Sequence, residues 1–248
     1  VVGAEAFARG LGAFADLLAT REFWPGLRNS LALGFAAGVI SLAVGMPVAA
    51  RLARMREGAR TALLFVIALP LTFSGLIVAF GFILAFGRAG FVTLLLEQAF
   101  GVDPREFAGF VYSPWGLAFV YSYYLIPRVV MLMLPVFVNF DAWQLRAAAS
   151  LGASRPRTWL RVVLPQLAPS ALAALCLVSA VAIGAYGTAL ALVGTGQVNI
   201  LPLWLFTLVA DVNTDFPLAA ALALVLTALC SLVMALAEIL AARSEHHA

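Results

Sequence analysis

RAAASLGASRPRTWLRVVLP, residues 146–165, decides how this chain is read. It holds four arginines, one glycine and two prolines in a sequence that is 64% hydrophobic overall. On one side, 107–140 contains Arg128 as its only charge, and on the other, 162–210 contains none. A charged, proline-bearing segment between two such runs marks a place where the chain leaves an apolar environment.

The segment has the grammar of two short helices. Asp141 followed three residues later by Gln144 reads as an N-cap with its capping-box partner, and Gly152 supplies the left-handed residue that ends the helix. Ser154 can cap a second helix. There Pro156 is tolerated in the first turn, Arg157 and Arg161 share a face at i, i+4, and Trp159, Leu160, Val163 and Leu164 form the apolar side. Pro165 and Pro169 are expected to end it before the next membrane run. Ala147, Ala148 and Ala149 present almost no side chain, so another protein's surface can approach that backbone closely. An amphipathic connector lying on anionic lipid fits the same features.

Composition fixes the environment. Mean hydropathy is +1.03 and only 11% of residues are charged, against about a quarter in soluble domains. The chain is therefore read as an all-α integral membrane protein. All 15 basic residues are arginine, so a phosphate-binding loop of the GxxxxGK[ST] type is excluded. Cys176 and Cys230 fall inside apolar runs and read as small core residues. His246 and His247 read as a solvated tail. Neither a metal centre nor a catalytic cluster is expected, and no nucleic-acid partner.

Charge-free runs give the crossings, each needing about 20 residues for roughly 30 Å of hydrocarbon. They are 29–50, 61–87, 107–140, 168–193 and 217–237, with 200–210 left as a short interfacial or re-entrant segment behind the Gly194-Thr195-Gly196 turn. Arginines orient the five spans. Arg51, Arg54, Arg56 and Arg60 follow the first, Arg146, Arg155, Arg157 and Arg161 the third, and Arg243 the last, whereas the alternate loops carry Glu97, Asp103, Glu106, Asp211 and Asp215 against Arg88 and Arg105. The arginine-rich ends are assigned to the cytoplasm. The organisation expected is an external segment 1–28, a transmembrane domain 29–241 whose main cytoplasmic loop is 139–167, and a cytoplasmic tail 242–248. Residues 1–28 read as neither a signal peptide nor a span, so a further transmembrane helix is expected ahead of them.

The order Ala147-Ala148, then Leu151-Gly152-Ala153, then Leu160 and Leu164-Pro165 resembles the EAA loop of permease subunits in binding-protein-dependent ABC importers, the MetI-like, type I family. The resemblance runs from about Phe23 to Glu238, taking in "FWPGLRNSLALGFAAG" and "DFPLAAALALVL". It implies a pore made by two permease subunits in the bacterial cytoplasmic (inner) membrane. Two ATP-binding cassette subunits dock beneath, and an external solute-binding protein delivers a small solute. Arg146, Ala147, Ala148, Leu151, Gly152, Ala153 and Arg157 would form the ATPase-docking surface. The chain would itself be no enzyme and carry no cofactor, ATP being bound by the partner. Arg146 stands where the motif has glutamate, which puts that contact in doubt. In pattern, particularly "GAYGTALALVGT", the chain is similar to polyamine, iron, thiamine and phosphonate permeases.

Arg128 is the internal clue to a solute pathway. It precedes the cytoplasmic loop by about 11 residues, roughly 16 Å of helix, and intramembrane ionisable residues are functional suspects by default. The alternative is a span that starts at Phe107 and lets Arg128 snorkel to the inner headgroups. Gly34, Gly38 and Gly45 are spaced for close helix packing, and Pro70, Gly75, Gly81, Pro127 and Pro135 for kinks. An ion-gradient-driven secondary transporter is the competing function, but it would ordinarily show internal repeats and paired ionisable groups near the midplane.

Overall fold

The computed structural model describes residues 12–194, 198–210 and 215–245. All of the elements found there are helical. In chain order they are α1 (Gly12–Ala19), α2 (Phe23–Ala53), α3 (Glu57–Ala68), a 3-10 turn (Leu69–Thr72), α4 (Gly75–Phe86), α5 (Phe91–Phe100), α6 (Pro104–Val111), α7 (Pro114–Val138), α8 (Ala142–Ser150), α9 (Arg155–Thr158), a π turn (Trp159–Val163), α10 (Leu164–Ile183), α11 (Gly187–Val193), α12 (Leu201–Ala210) and α13 (Phe216–Glu245).

Five helical stretches are long and apolar enough to cross a membrane: Phe23–Ala53, Gly75–Phe100, Pro114–Val138, Pro156–Ile183 and Phe216–Ile239. The number matches the sequence reading, but several boundaries move. The first crossing begins at Phe23, so 1–28 is not wholly external coil. It contains α1 and the first turns of α2. Counting charge-free residues placed the start after Arg28, whereas one arginine near a helix end can remain in a helix and reach the interface. At 31 residues, α2 is about 46 Å long and exceeds the hydrocarbon thickness.

The expected 61–87 span is broken. Pro70 brings no N–H, the chain tightens into the 3-10 turn with the Thr72 hydroxyl donating to Leu69 O at 2.7 Å, and Phe73 turns extended. Ser74 then restarts the helix, its Oγ accepting from Ile77 N–H at 3.4 Å. The expected 107–140 span divides at Ser113, whose Oγ accepts from Gly116 N–H at 3.1 Å and caps α7. The 168–193 span ends early, at Ile183, and resumes as α11 after three residues. Residues 201–210 form the expected short helix. The tail expected at 242–248 is helical as far as 245, and His246 and His247 lie outside the described residues.

The core centres on α7, which buries Leu117, Tyr121, Leu125, Val129 and Met133 completely. Its flank is α2, and the glycines of α2 set the distance. A Cβ on Gly45 would stand 2.7 Å from Val129 Cγ1, one on Gly34 2.5 Å from Ile183 Cγ1 of α10, and one on Gly38 would strike Ser179 Oγ. Without a driving force between apolar helices in lipid, such backbone approach supplies the dispersion contacts that hold them together. The outermost crossing, α13, packs on α10 and α12. Cys176 and Cys230 are free thiols, the latter donating to Ala180 O at 3.6 Å.

Candidate functional site

Two regions hold the candidate residues. The first is the loop between α7 and α10. Asp141 accepts from Trp143 N–H at 2.9 Å and caps α8 as expected. Its other end is a complete Schellman closure: Gly152 adopts φ +77°, its N–H bonds Ala149 O at 3.0 Å, and Ala153 N–H bonds Ala148 O at 3.0 Å. Gln144 does not complete a capping box. Its Oε1 instead accepts from Gln166 Nε2 at the start of α10. Nor does Ser154 cap with its side chain. Its carbonyl receives both the N–H and the hydroxyl of Thr158.

Pro165 and Pro169 do not end the second loop helix. The chain runs without interruption from α9 into α10, through a π turn in which Leu164 N–H reaches back to Trp159 O. A proline ring crowds the carbonyl four residues earlier, here that of Arg161. A widened turn in front of Pro165 relieves that crowding and keeps the helix going.

The sequence-derived docking residues differ in exposure. Arg146, Ala147, Leu151, Gly152 and Arg157 are exposed, and Ala148 and Ala153 are half-buried. Leu151 is 88% and Trp143 71% exposed, unusual for large apolar side chains in a segment so rich in charge. Arg146, where the motif has glutamate, lies over the Trp143 ring at 4.9 Å.

The second region is a partly open cavity of about 460 Å³ where the two interrupted helices meet α7. Arg128 lies in its wall, half-buried, 14 residues after Pro114 and ten before Val138. Those ten residues are about 15 Å of helix. The crossing starts at Pro114 rather than Phe107. The guanidinium has no ion pair among the described residues, and no carboxylate lines the cavity.

Lining the cavity with Arg128 are the 69–74 break, with Ser74 and Gly75 at the head of α4, and the 184–186 break, with Thr188 in the first turn of α11. Gly75 allows this meeting, since a Cβ there would collide with Thr188 Oγ1. Tyr121 OH donates to Ala185 O at 2.8 Å and holds the unwound backbone. Tyr124 and Thr188 are neighbours facing the cavity, 8% and 1% exposed. Neither hydroxyl has a partner in hydrogen-bond geometry.

Sequence reasoning singled out Arg128 and did not single out Tyr124, Ser74 or Thr188, which line the same cavity. The available signals were the helix breakers Pro70 and Gly75 and the glycines of "GAYGTALALVGT", which mark both interruptions without showing that they meet. Of the acidic residues in the outer loops, Asp215 accepts from Leu218 N–H at 3.2 Å and caps α13, while Asp211 lies outside the described residues.

Comparison with known proteins places this geometry. The chain is 28% identical over 230 residues to sulfate permease 2 of the Chlamydomonas reinhardtii chloroplast, matching 92% of this chain and 60% of that protein. It is 28% identical over 223 residues to the molybdenum transport system permease protein ModB of Mycobacterium bovis, 89% of this chain and 81% of that one. To the spermidine/putrescine permease protein PotB of Salmonella typhimurium it is 28% identical over 160 residues, 64% and 55% of the two chains. The chain thus spans less than two thirds of the length of the chloroplast and Salmonella relatives. Among the cargo classes suggested by pattern, polyamine appears in these names. Sulfate and molybdenum were not foreseen.

A crystal structure of a bacterial alginate ABC transporter, in complex with an alginate pentasaccharide-bound periplasmic protein, shares the fold: TM-score 0.72 at 19% identity, over 96% of this chain and 85% of that one. Residues 29–246 match the family described as binding-protein-dependent transport system inner membrane component. With the interrupted crossings, the exposed loop helix and this match in agreement, the chain belongs to that family of multi-pass membrane permeases.

Proposed function

We propose that this chain forms half of the membrane pore of an ATP-driven importer. A second permease subunit, identical or related, completes the pore, and an external binding protein delivers a small solute to it. The arginine-rich ends of the crossings and the C-terminus lie in the cytoplasm. ATP is bound and hydrolysed by separate cassette subunits, and this chain contributes no catalytic residue or cofactor. The α8 loop docks on them through Arg146, Ala147, Ala148, Leu151, Gly152, Ala153 and Arg157.

The observation that carries this reading is the outward face of α8. It is a capped, Schellman-closed helix with two large apolar side chains held in the open. A helix meant to float on lipid would turn its apolar residues to one side and its arginines to the other. Here Arg146 and Trp143 are stacked together on the same surface, as suits a protein partner.

Gly152→Val tests it. A left-handed conformation costs a non-glycine residue about 1–2 kcal/mol, more when it is β-branched. Nothing lies within 4 Å of a Cβ at this position, so the permease should still insert and assemble. ATPase subunits should then co-purify poorly, or hydrolyse ATP without uptake, and Ala148→Asp should act in the same direction. Normal uptake with normal ATPase recovery would make the loop an amphipathic connector instead.

A further inference from the structure

The relatives' names include both anionic and cationic cargoes, so they leave the sign of the solute open. We infer that the Arg128 cavity is a transient binding station for a small oxyanion crossing the membrane. This inference rests on the importer reading above.

The polar side chains of the residues lining the cavity, Ser74, Tyr124, Arg128, Tyr186 and Thr188, can all donate. Arg128 brings a guanidinium with five N–H groups and no acceptor. At the head of α4, a helix of 12 residues, the first-turn N–H groups of Gly75 and Leu76 have no carbonyl four residues back to serve them, and the helix dipole adds positive potential there. Ser74, Gly75 and Leu76 all line the cavity. The Tyr124 and Thr188 hydroxyls, more than nine-tenths buried, lie beside each other and have no other partner. Paired with each other they still leave one O–H with nothing to donate to, and beside an unpaired cation that spare donor points to a ligand that accepts hydrogen bonds.

Charge narrows the class. A cation bare of counter-charge at this depth is costly by at least a few kcal/mol, and no carboxylate lines the cavity to neutralise it. An anion passing through neutralises it for as long as it stays. A polyamine would meet repulsion from Arg128 and from the head of α4. Several donors on different walls suit a solute with several acceptor oxygens better than a monatomic anion. The cavity is larger than a small oxyanion, so the solute keeps part of its water, and the hold is weak enough for release.

The test uses the whole complex, with permease and ATPase subunits co-purified in lipid. Ser74→Cys, in a Cys176→Ala, Cys230→Ala background, places one thiol on the cavity wall. Sulfate or molybdate should slow its modification by a thiol reagent. Chloride at equal ionic strength, and spermidine, should not. Adding Arg128→Gln should abolish the protection. In uptake assays with the same two anions, Arg128→Gln should lower transport about tenfold or more, the worth of a charge-assisted hydrogen bond, while Arg128→Lys keeps part of it and ATPase recovery stays normal. Equal modification rates with and without both anions would overturn the inference, as would protection by spermidine or protection that survives Arg128→Gln. Failure of the wild-type permease to recover an ATPase would sink the importer reading instead, and the protection assay would still decide the anion site.

Discussion

In the α8 loop, consecutive residues do everything: Asp141 starts the helix, Gly152 stops it, and the side chains between them form the surface. Around Arg128 no stretch is sufficient. Ser74, Tyr124, Arg128 and Thr188 come from three separate parts of the chain, and the two helix interruptions matter only because α7 brings them together. The loop is thus a local object fixed by capping rules that act over a few residues, whereas the cavity is a tertiary object fixed by how closely whole helices approach. The loop should survive damage to the packing that defines the cavity, and the cavity should survive damage to the loop.

The strongest way to break that separation is Gly38→Leu in α2. The side chain would be driven into Ser179 and Leu175 of α10, and overpacking of this kind costs about 1–3 kcal/mol, sometimes more. We expect a large loss of assembled permease, read as recovery and thermal midpoint in detergent. Gly81→Ala, whose new methyl meets nothing within 4 Å, is the control that should keep both. If Gly38→Leu assembles normally, helix approach does not set the cavity.

A smaller effect is expected from Gln144→Ala. It removes the side-chain bond to Gln166, the link between α8 and the start of α10, worth about 1 kcal/mol or less at an exposed position. Hydrogen exchange should quicken in α8 and stay unchanged around Arg128. Faster exchange in both would join the two regions. The smallest expected effect is that of Arg146→Glu, which gives the loop the family's usual residue and removes the stacking on Trp143, worth roughly 0.5–1 kcal/mol at an exposed site. Permease stability should hardly move. The salt dependence of ATPase recovery should change, and an unaltered salt profile would take Arg146 out of the contact.

The same contrast explains what the sequence disclosed. Asp141 and Gly152 were legible because a cap and a left-handed stop are chosen by single residues. The number of crossings was legible because hydrophobic length is additive along the chain. Boundaries were less so: absence of charge cannot register Pro70 or Ser113, which interrupt helices without carrying any. Gln144 was misread because its side chain reaches either back to Asp141 or across to Gln166, and only the folded arrangement selects the second. Tyr124 and Thr188 gave no local sign at all, since an unpartnered hydroxyl is defined by its surroundings.

The unbroken run from α9 through the π turn into α10 has a mechanical consequence. From Leu164 to Ile183 it is a rod about 30 Å long, with the docking loop at one end and Gly184, on the rim of the Arg128 cavity, at the other. A stiff rod acts as a lever. On the importer reading, a push on α8, received directly or through the Gln144–Gln166 tie, would arrive as a tilt of the rod's far end at Ile183. The π turn, where the helix is widest and its hydrogen bonding least regular, is the natural fulcrum. Docking and solute release, as proposed, would then be linked through this rod, with the stroke at the loop reaching Thr188 only across the break at 184–186.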